Sequence, residues 1–195
     1  MMPEIRSRYC NWIGLALLLC SVLPAVAMSA ATRAEQRELD RAESVLRDSA
    51  HQSPDLLIAL TRADDHLTLR VAASLLFEPD GSVLTPEVLK QAPLEAVLRL
   101  LKRRRALAAQ IAVFTDDIGG VSANQSLSAA RAKALCSTFS AAGIPAARLF
   151  QHGGGASEAL SSNATPEGRQ ENRRVEITIV PVRLAPIRLA PATGP

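Results

Sequence analysis

Side chains able to make or break bonds are few and scattered in this sequence. His51, His66 and His152 have no metal-ligand spacing, and no Cys-x-x-Cys occurs. No serine stands with histidine and aspartate at the spacing of a nucleophile motif, and no pair of carboxylates can be set across a scissile bond. Gly153-Gly154-Gly155 lacks the Lys-Ser/Thr of a phosphate-binding loop, so it reads as a tight turn that ends a strand. Cys136 reads as a small buried hydrophobe on a helix. What remains is recognition by hydrogen bonds and charge, which needs no nucleophile, metal or cofactor.

Composition narrows the partners. Apolar residues make up 48% of the 195, enough for a packed core, but aromatic residues only 3%. Stacking platforms for single-stranded nucleic acid are therefore missing. The formal charge is +3. The basic run Lys102-Arg103-Arg104-Arg105 follows an apolar-periodic segment and reads as a solvated helix end, where cations suit the helix dipole; no nucleic-acid motif accompanies it.

Residues 1–31 read as an export signal. Arg6 and Arg8 open it, an uncharged stretch from Trp12 to Met28 comes next, and Ala25-Val26-Ala27 fits the A-x-A cleavage pattern. The stretch is also almost long enough to span a bilayer, which takes roughly 20 residues, so an uncleaved anchor is the second reading. A lipid anchor at Cys20 is disfavoured, because Leu17-Leu18-Leu19 precede it where a small residue is usual. Each reading places the rest of the chain outside the cytoplasm. With the leader removed, Cys136 is the one thiol left and no internal disulfide can form.

The elements that must position any site can be read from periodicity. Residues 32–55 form a charged helical spacer, in which Leu39, Ala42 and Leu46 draw a narrow apolar stripe; it either separates the domain from the leader or packs on it. Leu57-Ala59-Thr61 and Leu67-Leu69-Val71 alternate as two strands around an Ala63-Asp64-Asp65 turn. Thr85-Pro86-Glu87 has the composition of a helix start, and Pro93 forces a break before a better helix from Leu94 to Lys102. Ala109–Thr115 is a strand, Ser126–Ala142 a helix, Arg148–Gln151 a short strand, Asn163–Gln170 a polar loop or helical turn, and Arg173–Val180 an alternating strand. This order predicts an α+β fold, a two-layer sandwich with helices on one face of a mixed sheet. Residues 182–195, with the repeat Pro181-Val182-Arg183-Leu184-Ala185 and Pro186-Ile187-Arg188-Leu189-Ala190, read as an extended tail.

Three stretches then converge. They are Thr115-Asp116-Asp117-Ile118-Gly119 at a strand end, Asn124-Gln125-Ser126-Leu127-Ser128-Ala129-Ala130-Arg131-Ala132 in a helix, and Asn163-Ala164-Thr165-Pro166-Glu167-Gly168-Arg169 followed by Asn172-Arg173-Arg174-Val175-Glu176-Ile177. In order and spacing they resemble the OmpA-like carboxyl-terminal domain, over residues 56–181. Phe77 and Leu84 fit that family's early F…L feature.

The resemblance implies a periplasmic or outer-membrane-associated domain that binds the stem peptide of peptidoglycan through diaminopimelate. The family's aspartate falls on Asp116 and its helical arginine on Arg131. A carboxylate there can accept from the ligand ammonium, and a guanidinium can take a ligand carboxylate in a fork. Thr115, Asn124 and the backbone near Leu127 are the further ligand-binding candidates, at a helix start that suits a carboxylate. Taken alone, Asp116 is a turn residue and Arg131 a solvated arginine. For Arg169, Arg173 and Arg174 a structural role leads, although one arginine of the pair can reach the cleft. Glu78 leads as a solvated loop acid.

The departures from the family pattern are local. Val113-Phe114 stands where Gly-His is usual, which predicts a more apolar cleft edge at Phe114, and Asp117 adds a second negative charge. These motivate an alternative: the fold serves as a protein-interaction module with lost or altered ligand binding, with residues 33–50 contacting other envelope proteins. Contact with a membrane is expected only if the leader stays uncleaved.

Overall fold

The alternating apolar residues of the sequence line up across five strands of one sheet. In this computed structural model, residues 30–52, 59–78, 81–84 and 88–185 are described. The chain divides after Arg33, and the sheet and its core belong to the unit that starts at Ala34. The strands are β1 (Ala59–Arg62), β2 (Leu67–Ala72), β3 (Leu107–Phe114), β4 (Leu149–Gly155) and β5 (Arg174–Pro181), and the helices α1 (Ala30–Gln52), α2 (Ala92–Arg103), α3 (Val121–Ala141) and α4 (Pro166–Asn172). The sheet order is β1-β2-β5-β3-β4. Of these strands only β3 and β4 run parallel, joined through α3; the other neighbours are antiparallel. The sheet is mixed and the fold is the two-layer α+β arrangement that the element order predicts.

Period two decides the faces. Leu67, Leu69 and Val71 on β2, Val175, Ile177 and Ile179 on β5, and Leu107, Ala109, Ile111 and Val113 on β3 are buried toward the helices. Leu94, Val97 and Leu101 of α2 and Ala132, Leu135 and Phe139 of α3 meet them. Each such fully buried aliphatic side chain stabilises the fold by about 1.5–3 kcal/mol relative to exposure. Helix α1 belongs to this layer: Leu39, Ala42 and Leu46 are at most 1% exposed, and Ser49 donates to the Ala92 carbonyl at 2.8 Å, tying its end to the start of α2.

The opposite face is polar and cross-linked. Glu176 accepts from Arg70 and Arg174, and the Thr68 and Thr178 hydroxyls meet at 3.2 Å. Arg174, 2% exposed, lies with its guanidinium carbon 3.9 Å from the centre of the Phe114 ring. That corrects the expectation for Phe114, which faces this side of the sheet rather than the cleft, because it alternates with the core residue Val113.

Several boundaries differ from the periodicity reading. Helix α2 begins at Ala92 with Pro93 in its first turn, where a missing N–H costs nothing. Thr85-Pro86-Glu87 lies outside the described residues. Gly153-Gly154-Gly155 is the end of β4 and not a turn. A Cβ on Gly153 would stand 2.5 Å from the Ala129 nitrogen, so glycine there lets α3 lie directly on the strand. Of the expected tail, Val182–Leu184 instead makes a single 3-10 turn and Ala185 is buried against Ala108, Val180 and Phe150; residues 186–195 lie outside the described residues. Residues 1–29 of the expected leader lie outside them too, and its last two, Ala30 and Ala31, open α1. Among the described residues, no helix is long and apolar enough to cross a membrane.

Candidate functional site

The carboxyl end of β3 opens onto a cleft because the chain must turn sharply there. Two consecutive glycines, Gly119 (φ 95°) and Gly120 (φ 87°), take left-handed backbone that other residues resist, and α3 starts immediately after them. Between strand and helix, Asp116 accepts the Ile118 N–H on Oδ1 at 3.2 Å, an Asx-turn that fixes its carboxylate. The Asn124 amide donates to the carbonyls of Asp116 (3.0 Å) and Ile118 (2.9 Å) and holds the loop against the helix.

The other wall comes from the segment after β2. Phe77 bridges to Leu84, closing a loop, and Arg131 reaches from α3 to hold it. Its Nε donates to the Gly81 carbonyl at 2.7 Å and Nη2 to the Glu78 carbonyl at 3.1 Å, while its guanidinium lies 5.1 Å from the Phe77 ring centre. The third wall is Arg173, just before β5, whose Nη1 donates to Asp116 Oδ2 at 2.5 Å. Arg173 and Arg174 thus part company: one enters the cleft and the other stacks on the back of the sheet.

The cavity measures about 520 Å³. All five residues singled out from the sequence, Thr115, Asp116, Asn124, Leu127 and Arg131, line it, together with Phe77, Glu78, Ile118 and Arg173. Thr115 and Asp116 are buried, at 4% and 7% exposure. The Thr115 hydroxyl is the buried side-chain atom among the described residues that finds no hydrogen-bond partner, an arrangement that ordinarily costs about 1–3 kcal/mol. The charges balance: Asp116 and Glu78 against Arg131 and Arg173. Ile118, exposed at 63%, gives the cleft an apolar edge. Asp117 is exposed, and no cluster of His, Cys, Asp and Glu among the described residues could hold a metal.

Two sequence expectations change in detail. Helix α3 begins at Val121, five residues before the expected start, because Gly120 and not Ser126 begins it. Leu127 therefore lies inside the helix, where its N–H is bonded four residues back, and it offers the cleft its side chain. Arg173 is the cleft guanidinium that sequence reasoning ranks below Arg131. In the structure it stands one residue before β5, whose first residue is Arg174, and so outside the strand that the periodicity included it in.

A sequence-family model of the OmpA family matches residues 76–173, just over half of the chain. The chain belongs to the OmpA family. The OmpA match begins at Leu76 and ends at Arg173, and both residues line the cleft. The protein named Probable lipoprotein YiaD, from Escherichia coli K12, is 32% identical over 143 residues, covering 73% of this chain and 63% of YiaD. Peptidoglycan-binding protein ArfA of Mycobacterium tuberculosis is 36% identical over 106 residues, 53% of this chain and 31% of ArfA. The chain thus spans less than two thirds of either relative. A crystal structure of a MotB-like protein from Desulfovibrio vulgaris superposes on it with a TM-score of 0.67 at 27% identity, over 77% of this chain and 99% of that one.

Proposed function

We propose that the cleft binds the stem peptide of peptidoglycan at its diaminopimelate residue and so holds the envelope to the cell wall without covalent chemistry. The observation that carries this reading is the pairing of Asp116 with Arg173 in one cavity with Arg131 and a partnerless Thr115 hydroxyl. The free end of diaminopimelate is a zwitterion. A neutral but strongly charged cleft suits it better than an anion or a cation, each of which would leave one buried charge unmatched.

Asp116 accepts from the ligand ammonium, and Arg173 turns from Asp116 to the ligand carboxylate. Arg173 has the freedom for this, with a side chain 42% exposed against 10% for Asp116. Arg131 contributes its charge while its Nε and Nη2 keep the Gly81 wall in place. The Thr115 hydroxyl, with no partner among the described residues, supplies a further hydrogen bond to the ligand. Ile118 and Leu127 cover the aliphatic stem of the ligand. The relative named for peptidoglycan binding, ArfA, supports the reading. The alternative, a fold with lost or altered ligand binding, loses one of its two motives, because Phe114 lies on the other face of the sheet, while Asp117 stays exposed beside Asp116.

Calorimetric titration with a soluble diaminopimelate muropeptide tests this. The parent protein gives saturable heat, and the same peptide with lysine in place of diaminopimelate, lacking the carboxylate, binds at least ten-fold more weakly. Equal binding of both peptides overturns the diaminopimelate assignment.

A further inference from the structure

The cleft lies at one end of the sheet, and the opposite end has its own chemical character. β3 runs from Leu107 at that far end to Phe114 beside the cleft, about 25 Å for eight residues. Shortly before Leu107 stand Lys102 and Arg103, the last residues of α2, and Arg104 and Arg105 just after it. Arg148 is drawn in beside them, donating to the carbonyls of Leu101, Arg104 and Leu107; burial and the neighbouring charge of Arg105 lower its pKa. The end of β5 joins the same place, where the Val182 N–H meets the Ala106 carbonyl.

The cations here fall into two groups. Arg104 reaches Glu38 at 3.5 Å and Arg183 holds Glu35 with two hydrogen bonds, at 2.8 and 2.7 Å. Lys102, Arg103 and Arg105 are exposed and have no acidic partner among the described residues. Val182, an apolar side chain 39% exposed, stands next to Arg183. The acids at this end are Glu35 and Glu38, already paired, Asp40 and Glu43, both on Arg62, and Asp64 and Asp65 in the β1–β2 turn, with Asp65 on His66. Glu35 and Glu38 also show that α1 begins at this end.

We propose that this basic end rests on an anionic phospholipid surface, with Lys102, Arg103 and Arg105 against the headgroups and Val182 among them, so that the cleft points away from the bilayer. Exposed cations without acidic partners, beside an exposed apolar side chain, are what anionic headgroups attract. A face with three such cations about 25 Å from the cleft can be occupied without touching the ligand site. Pairing Arg104 and Arg183 with α1 leaves these three as the charges available to a second surface.

The test uses the fragment Ala34–Pro195. Every residue of the main core lies between Leu39 and Ile179, so this fragment carries its whole core, and its fold is checked before binding is read. It is sedimented with vesicles of phosphatidylcholine alone or of phosphatidylcholine with phosphatidylglycerol, beside the triple variant Lys102→Gln, Arg103→Gln, Arg105→Gln and the control Lys133→Gln, each checked by circular dichroism. The parent and the control should bind the phosphatidylglycerol vesicles and release in salt. The triple variant should lose on the order of a hundred-fold in affinity. Equal binding by parent and triple variant, no binding by the folded parent, or binding unaffected by phosphatidylglycerol overturns the proposal. Loss by the triple variant on sacculi but not on vesicles also overturns it, in favour of a wall contact.

Discussion

Arg173 and Asp116, 57 residues apart in the chain, meet at 2.5 Å in the wall of the cleft. Neither belongs to a helix or strand; each sits one or two residues beyond a strand end, β5 and β3, which are neighbours in the sheet. Antiparallel pairing of those strands therefore brings the two charges together. Their pairing keeps a carboxylate and a guanidinium poised with opposite sign in the unliganded protein.

Asp116→Ala removes the acceptor and strands Arg173 beside it. Truncating one partner of a hydrogen-bonded charge pair at a binding site costs about 2–5 kcal/mol, roughly thirty-fold or more in affinity. Calorimetry with a diaminopimelate muropeptide should show that loss, with the urea midpoint moving much less.

Arg131→Ala should act through the wall as well as the ligand. It deletes two charged hydrogen bonds to the Glu78 and Gly81 carbonyls, each worth about 1.5–3 kcal/mol. Hydrogen exchange should rise at 77–78 and 81–84 in the variant without ligand while β3 and β5 stay protected. Unchanged exchange there would mean that the arginine does not support the loop.

Leu46→Ala tests whether α1 is part of the domain. A fully buried leucine in a packed core costs about 2–5 kcal/mol when truncated. A solvated spacer would tolerate the change within about 0.5 kcal/mol. Chemical denaturation distinguishes the two, and the packing of α1 predicts the larger loss.

Gly153→Ala places a Cβ 2.5 Å from backbone of α3, which cannot yield as a side-chain tip would. Overpacking of this kind costs about 1–3 kcal/mol. The expected result is a lowered melting temperature, together with weaker ligand binding because α3 carries Arg131.

Burial pushes the Cys136 thiol up to about 11, from 9.0. The folded state therefore keeps its proton longer than the unfolded chain. The stability that this contributes is complete below pH 9 and declines as pH rises from there through 11. Relative to Cys136→Ala, the parent should lose stability over that window and not below it, and its thiol should alkylate slowly at pH 8.

Much of the fold and the cleft is legible in the sequence, for physical reasons. Strands β2 and β5 are written in period-two alternation with one face apolar, and burial of that face leaves no second register. The motif residues Thr115, Asp116, Asn124 and Arg131 converge because one short loop joins β3 to α3. Other features depend on contacts that no local pattern encodes. Gly153 at the end of β4 answers to Ala129, and Phe114 answers to Arg174; each pair is distant in sequence. The start of α3 is hidden because its cap is a glycine with no side chain to signal it. The role of Arg173 is hidden because its partner lies across the sheet.

The most direct test of the central claim is sedimentation of the fragment Ala34–Pro195 with insoluble peptidoglycan sacculi, beside Asp116→Ala and Arg173→Ala variants shown to be folded. The account predicts that the parent pellets with the sacculi, that free diaminopimelate releases it, and that both variants stay in solution. A folded parent that stays in solution, or folded variants that pellet as it does, would contradict wall binding through this cleft.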